Sequence, residues 1–158
     1  MNNSLFHYLI GCFPLLSIMA CSPQPEPIDF GRDVCQHCKM LISDERYGAE
    51  LVTKKGKVYK FDSVECLLWH LEENPDLQEK THLLLVVDFH SPGKLVPALD
   101  ATYLRAKHLP SPMGMFITAF SSPEAALSML DPSDEESRQL RWEEVAAFIR
   151  QSKVPSQQ

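Results

Sequence analysis

FDSVECLL, residues 61–68, and FSSPEAAL, residues 120–127, carry Phe, Ser, Glu and Leu at the same spacing. In each stretch an aromatic residue ends a β-prone run, and a serine two residues later offers a hydroxyl to cap the helix that follows. In the first, Asp62 or Ser63 can cap; in the second, Ser122 stands before Pro123, which suits a first helical position. Outward from the first stretch, YGAELVTKKGKVYKF (residues 47–61) gives two short β-prone runs around Lys55 and Gly56, the pattern of a hairpin. Val64, Leu67, Leu68 and Leu71 then recur at the spacing of one buried helical face, and Pro75 ends the helix. LLLVVDF (residues 83–89) has the length of a buried strand, closed by Ser91, Pro92 and Gly93. The same order repeats, with strands over 101–107 and 115–120, a helix over 123–130 and a short strand over 139–142. EEVAAFIR (residues 143–150) adds a short helix and 151–158 a tail. This predicts an α+β fold of two ββαβ-like units packed as one domain with antiparallel sheets.

CQHCKM, residues 35–40, carries the chemistry. Two cysteines three apart bring two sulfurs to one small centre, and Met40 offers a third. A bare CxxC also serves thiol-disulfide exchange or half of a zinc site. Met40 shifts the balance, because thiolate and thioether are soft donors that favour Cu(I), whereas structural zinc sites use cysteine and histidine. The bland role for Met40 is packing beside Leu41 and Ile42.

Further donors stand elsewhere. On a helical wheel Cys66 falls about 160° from the Val64, Leu67, Leu68, Leu71 face. It shares a side with His70 four residues on, a spacing that lets two side chains hold one metal, or that leaves a cysteine facing solvent beside a surface histidine. In SPMGMF (residues 111–116) Gly114 lets Met113 project from a turn, while Met115 starts a strand and is read as core packing. His82, His90 and His108 stand near strand ends, and spacing does not rank them as ligands.

The 158 residues are 44% hydrophobic and 23% charged, the composition of an ordinary globular domain. Residues 5–20 are mostly apolar, interrupted by Pro14 and too short for a comfortable membrane span of about 20 residues, so residues 1–20 read as a secretory signal. Ile18, Met19, Ala20 and Cys21 resemble the lipobox of bacterial lipoproteins, although residues 1–20 lack the usual Lys or Arg. Cys21 would then be the lipidated first residue, and the proline-rich stretch to residue 33 an extended tether, leaving 34–150 as the domain. Ser22 after it does not favour inner-membrane retention, so an outer-membrane address is open. With Cys12 removed and Cys21 lipidated, Cys35, Cys38 and Cys66 remain, an odd number for a disulfide framework. The formal charge of −6 makes nucleic acid an unsuitable partner.

CQHCKM, FDSVEC, VVDFH and SPMG together resemble the NosL family, lipid-anchored accessory proteins of nitrous oxide reductase, over residues from about Val34 to Phe148. The resemblance implies two ββαβ units and no enzymatic activity. It also implies a Cu(I)-binding metallochaperone, anchored to the membrane at the periplasmic or outer face, that passes copper to nitrous oxide reductase or another copper enzyme such as a terminal oxidase. Its metal residues map onto Cys35 or Cys38, Met40 and Met113. Cys66 is an added candidate ligand, and Met115 stands where relatives often carry histidine. Two other readings stay open: a membrane-tethered thiol-disulfide oxidoreductase using Cys35 and Cys38, and a structural zinc module using Cys35, Cys38, Cys66 and His70.

Overall fold

The computed structural model describes residues 22–152; the expected signal segment, the expected lipidation site Cys21 and most of the expected tail lie outside the described residues. The first unit runs β1 (Ala49–Thr53), β2 (Val58–Phe61), α1 (Val64–Glu73), α2 (Asp76–Lys80), β3 (Thr81–Val87) and β4 (Leu95–Pro97). The second runs β5 (Thr102–Arg105), β6 (Ile117–Phe120), α3 (Pro123–Ser128) and β7 (Arg138–Leu140), and α4 (Trp142–Gln151) follows.

The internal echo in the sequence is an echo of topology. One sheet has the order β2-β1-β3-β4 and the other β6-β5-β7. In both, the first strand of the unit lies between its hairpin partner and the strand that returns after the helix, and every pairing is antiparallel. Leu51 thus faces Tyr59 on one side and Leu84 on the other, as Tyr103 faces Ala119 and Leu140. The strand-to-helix junctions also repeat: Phe61 and Phe120 are fully buried, Ser63 Oγ accepts the Cys66 N–H at 3.5 Å and Ser122 Oγ accepts the Ala125 N–H at 3.2 Å. At the β1–β2 turn Gly56 has φ +81°, a left-handed conformation that glycine adopts without steric cost.

The larger of two core clusters spans both units. Leu51, Phe61, Leu67 and Trp69 from the first cluster with Tyr103, Ile117 and Leu140 from the second and with Val145 and Ile149 of α4. The Phe89 N–H reaches Ala119 O at 2.9 Å, and the Tyr47 and Thr118 hydroxyls lie 3.2 Å apart. Among the described residues no helix is long and apolar enough to cross a membrane.

Two elements were not foreseen. The five-residue α2 restarts after Pro75, and the three-residue β4 pairs with the outer side of β3, with Pro97 at that sheet edge. The one-face reading of α1 is also corrected. Every residue from Val64 to Leu71 is buried, because the helix packs against β1, β2 and α4 together. A helix covered on several sides has no solvent stripe for a wheel to reveal.

Candidate metal centre

The CQHCKM segment folds as a tight loop closed by a bridge between Val34 and Leu41. The Cys35 N–H donates to Met40 O at 2.8 Å, and the Lys39 N–H to Cys35 O at 3.1 Å. Lys39 takes φ +64°, the left-handed conformation that turns the chain back on itself. The Gln36 N–H donates to Lys60 O at 2.8 Å, which fixes the loop to β2. Cys35 and Cys38 thus sit in a turn and do not themselves open a helix, unlike the cysteines of many redox CxxC motifs.

The third sulfur comes from α1. Cys35, Cys38 and Cys66 place their sulfurs within 4.8 Å of one another, and all three are free thiols. Two sulfurs bound to one ion at about 2.3 Å each stand at most about 4.6 Å apart, so only a small closure is needed to share one. Cys35 and Cys66 are fully buried and Cys38 is half-buried. The placement of Cys66 corrects the expectation that it lies off the packed side of its helix.

The three thiols are electrostatically unequal. The Cys66 thiol donates to Cys35, and with N–H groups of Asp62, Cys38 and His37 this holds the Cys35 thiol well below the ordinary cysteine range despite its burial. Cys66, as that donor, is pushed far up and keeps its proton. Burial raises Cys38 as well, opposed by the Met40 N–H. Burial, reinforced by the Cys35 thiolate, brings the Asp62 carboxyl up to about 6. One thiolate beside two protonated thiols is an entry point for a soft cation, which displaces the remaining protons as it binds.

The thioethers are placed differently from one another. Met40 is 46% exposed, on the outer side of the loop. Met113 and Met115 are partly buried and pack against the core cluster that contains Cys35 and Cys66, as does Cys38. The SPMG turn is held by the Gly114 N–H on Ser111 O at 2.9 Å. The Phe116 N–H donates to Ser111 Oγ at 2.9 Å, and Ser111 Oγ donates in turn to Glu65, the residue before Cys66. Glu65 is fully buried, and this burial pushes its pKa up while the Ser111 and Ser63 hydroxyls hold it back.

The histidines divide in a way that spacing did not reveal. His82, His90 and His108 are exposed. His70 is buried, and burial lowers its pKa. It groups with His37 and Glu73, not with the three sulfurs, so Cys66 and His70 belong to different clusters in spite of their spacing. His37 was overlooked inside CQHC; the available cue was Glu73 three residues after His70, which sets two donors on one helical side.

Fold and site together define an α+β domain with a sulfur-rich candidate metal centre between a loop and a helix. The chain belongs to the NosL family, whose model matches residues 28–147. Its fold is similar to the crystal structure of the copper chaperone NosL from Shewanella denitrificans, at a TM-score of 0.62 and 23% identity, covering 77% of this chain and 95% of that one. Comparison with curated proteins gives no match.

Proposed function

We propose that this chain is a copper chaperone that binds Cu(I) at Cys35, Cys38 and Cys66 and hands it to a copper enzyme. The observation that carries the reading is the convergence of three free sulfurs within 4.8 Å, in a chain that belongs to the NosL family. Thiolates suit Cu(I) by softness, and Cys35, held as a thiolate, is the first ligand. Half-buried Cys38 and exposed Met40 form the outer side of the centre, where an acceptor's ligands can replace those of the chaperone one at a time. Met113, on the turn tied to α1 through Ser111 and Glu65, is the candidate donor from the second unit. Binding and release by ligand exchange requires no catalytic turnover, so the protein acts as a carrier and not as an enzyme.

The family membership and the lipobox-like residues 18–21 support a fuller reading: attachment through lipidated Cys21 to the outer face of a membrane, in the periplasm where there is one, and delivery to nitrous oxide reductase. Titration of the reduced full chain with Cu(I) against a competing chelator tests the centre. One tight site is expected, and a Cys35→Ser, Cys38→Ser double variant that binds as well as the native chain refutes it.

A further inference from the structure

His37 and His70 lie side by side beneath the loop surface, 5% and 8% exposed, with ring centroids 6.4 Å apart. Tyr59 and Phe61 pack on His70, at 5.8 and 5.3 Å between ring centroids, and Trp69 packs on His37 at 5.8 Å. Glu73, one helical turn beyond His70, brings its carboxylate to 3.3 Å from His37 Nδ1. One ligand atom from each of the three residues lies within 4.8 Å of the other two. Two atoms held about 2.0–2.1 Å from one tetrahedral ion stand about 3.3–3.4 Å apart, which is the separation of His37 Nδ1 and the Glu73 oxygen.

The geometry points to a second metal site, formed by His37, His70 and Glu73, that takes a divalent ion of the zinc class. Two imidazoles and a carboxylate are borderline-to-hard donors. They hold Zn(II), or Cu(II) more tightly by the Irving–Williams order, and they lack the soft sulfur that selects Cu(I). Three protein ligands leave a fourth position for water. Access exists, because His70 and Asn74 line a cleft of about 670 Å³ together with Gln36 and Tyr59. Asn74 Nδ2 stands 3.5 Å from His70 Nδ1 and 2.9 Å from His70 O, so its amide orients the helix end that carries the ligands. His37 lies between Cys35 and Cys38, so one loop serves two centres of different hardness: sulfur for the univalent ion, nitrogen and oxygen for the divalent one. The site stands on its own residues and does not depend on copper occupying the thiols.

Imidazole ¹⁵N resonances of the reduced full chain, followed through a Zn²⁺ titration carried far enough to fill both clusters, test this. Nitrogens of His37 and His70 are expected to shift to metal-bound positions while those of His82, His90 and His108 do not. Glu73→Gln, at an exposed position, is expected to weaken the imidazole-detected binding by about tenfold or more, and His70→Gln to abolish it. Zinc that leaves the His37 and His70 nitrogens unmoved, as when it goes to the thiols alone, overturns the site. Equal imidazole-detected affinity in the native chain and Glu73→Gln overturns it as well. A Cu(I) titration that fails at the sulfurs refutes the chaperone reading and leaves this result standing.

Discussion

Ser111 Oγ donates a hydrogen bond to the buried carboxylate of Glu65, joining the SPMG turn of the second unit to the helix of the first that carries Cys66. The same oxygen accepts the Phe116 N–H at 2.9 Å, so one hydroxyl serves a fully buried carboxylate and a part-buried N–H. Ser111→Ala leaves both without this partner, and an unsatisfied buried polar group costs about 1–3 kcal/mol. Urea denaturation of Ser111→Ala is expected to show a lower midpoint with an unchanged slope, a loss of stability in that range without a change in compactness. A midpoint equal to that of the native chain would sink the claim that this bond anchors the turn.

What the sequence revealed of this architecture came from local punctuation. Gly56 at a turn, Ser63 before α1 and the pair Ser122–Pro123 before α3 act over a few residues, and each marks its boundary as built. The pieces that stayed hidden depend on distant chain. The three residues of β4 form a strand only because β3 offers an edge, and α2 is too short to be stable by its own propensity. Cys66 was hidden for the same reason, since the sulfurs it meets belong to Cys35 and Cys38, in a loop separated from α1 by the β1–β2 hairpin. Within the centre, Cys35 and Cys38 were legible from adjacency alone, whereas pairing His70 with His37 required knowing that the loop folds onto α1.

Glu50 makes stability depend on pH. It is fully buried on the central strand β1, and its carboxylate accepts the Glu26 N–H at 3.0 Å. Burial raises its pKa from 4.5 to about 6. A carboxyl whose folded pKa is raised contributes stability that is fully present below its unfolded pKa and is lost as the pH rises through the folded one. At about 1.4 kcal/mol per unit, the loss attributable to Glu50 is on the order of 2 kcal/mol across that window. Glu50→Gln should flatten this part of the stability profile, measured by urea denaturation at several pH values. Asp62, raised to about 6 from 3.8, acts in the same direction and keeps a residual slope in the variant.

Cys66 combines two separable features, a thiol that donates to Cys35 and a sulfur proposed as a metal ligand. Cys66→Ala removes both: the Cys35 thiol should move back toward the ordinary value of about 8.5, and Cu(I) affinity should fall. Cys66→Ser keeps a donating hydroxyl but lacks soft sulfur, so Cys35 should remain easily ionised while affinity falls alone. Thiolate absorbance followed against pH, with chelator competition for Cu(I), reads the two effects independently. If serine and alanine raise the Cys35 titration equally, the hydrogen bond from Cys66 is not what holds that thiolate.

Affinity for Cu(I) should itself fall with acidity, because Cys38 and Cys66 are both raised and must give up protons to the metal. Chelator competition between about pH 6 and 8 is expected to show affinity rising about tenfold per pH unit for each proton displaced, and a flat profile would mean that only Cys35 binds.

Met113 decides whether the second unit contributes a ligand. It is partly buried, packs on the core cluster shared with Cys35 and Cys66, and rides on a turn fixed by Gly114 at φ +73° and by Ser111. Leucine matches methionine closely in volume and apolar character, so Met113→Leu should cost less than about 1.5 kcal/mol if the side chain only packs. A ligand would show the opposite balance, with folding preserved and Cu(I) affinity reduced, because leucine retains the shape and loses the sulfur. X-ray absorption of the Cu(I)-loaded variant would then record one sulfur scatterer fewer than the native chain. An unchanged sulfur count together with unchanged affinity would confine the centre to Cys35, Cys38 and Cys66, with Met40 as the remaining thioether candidate, and would leave the SPMG turn as packing held in place by Glu65.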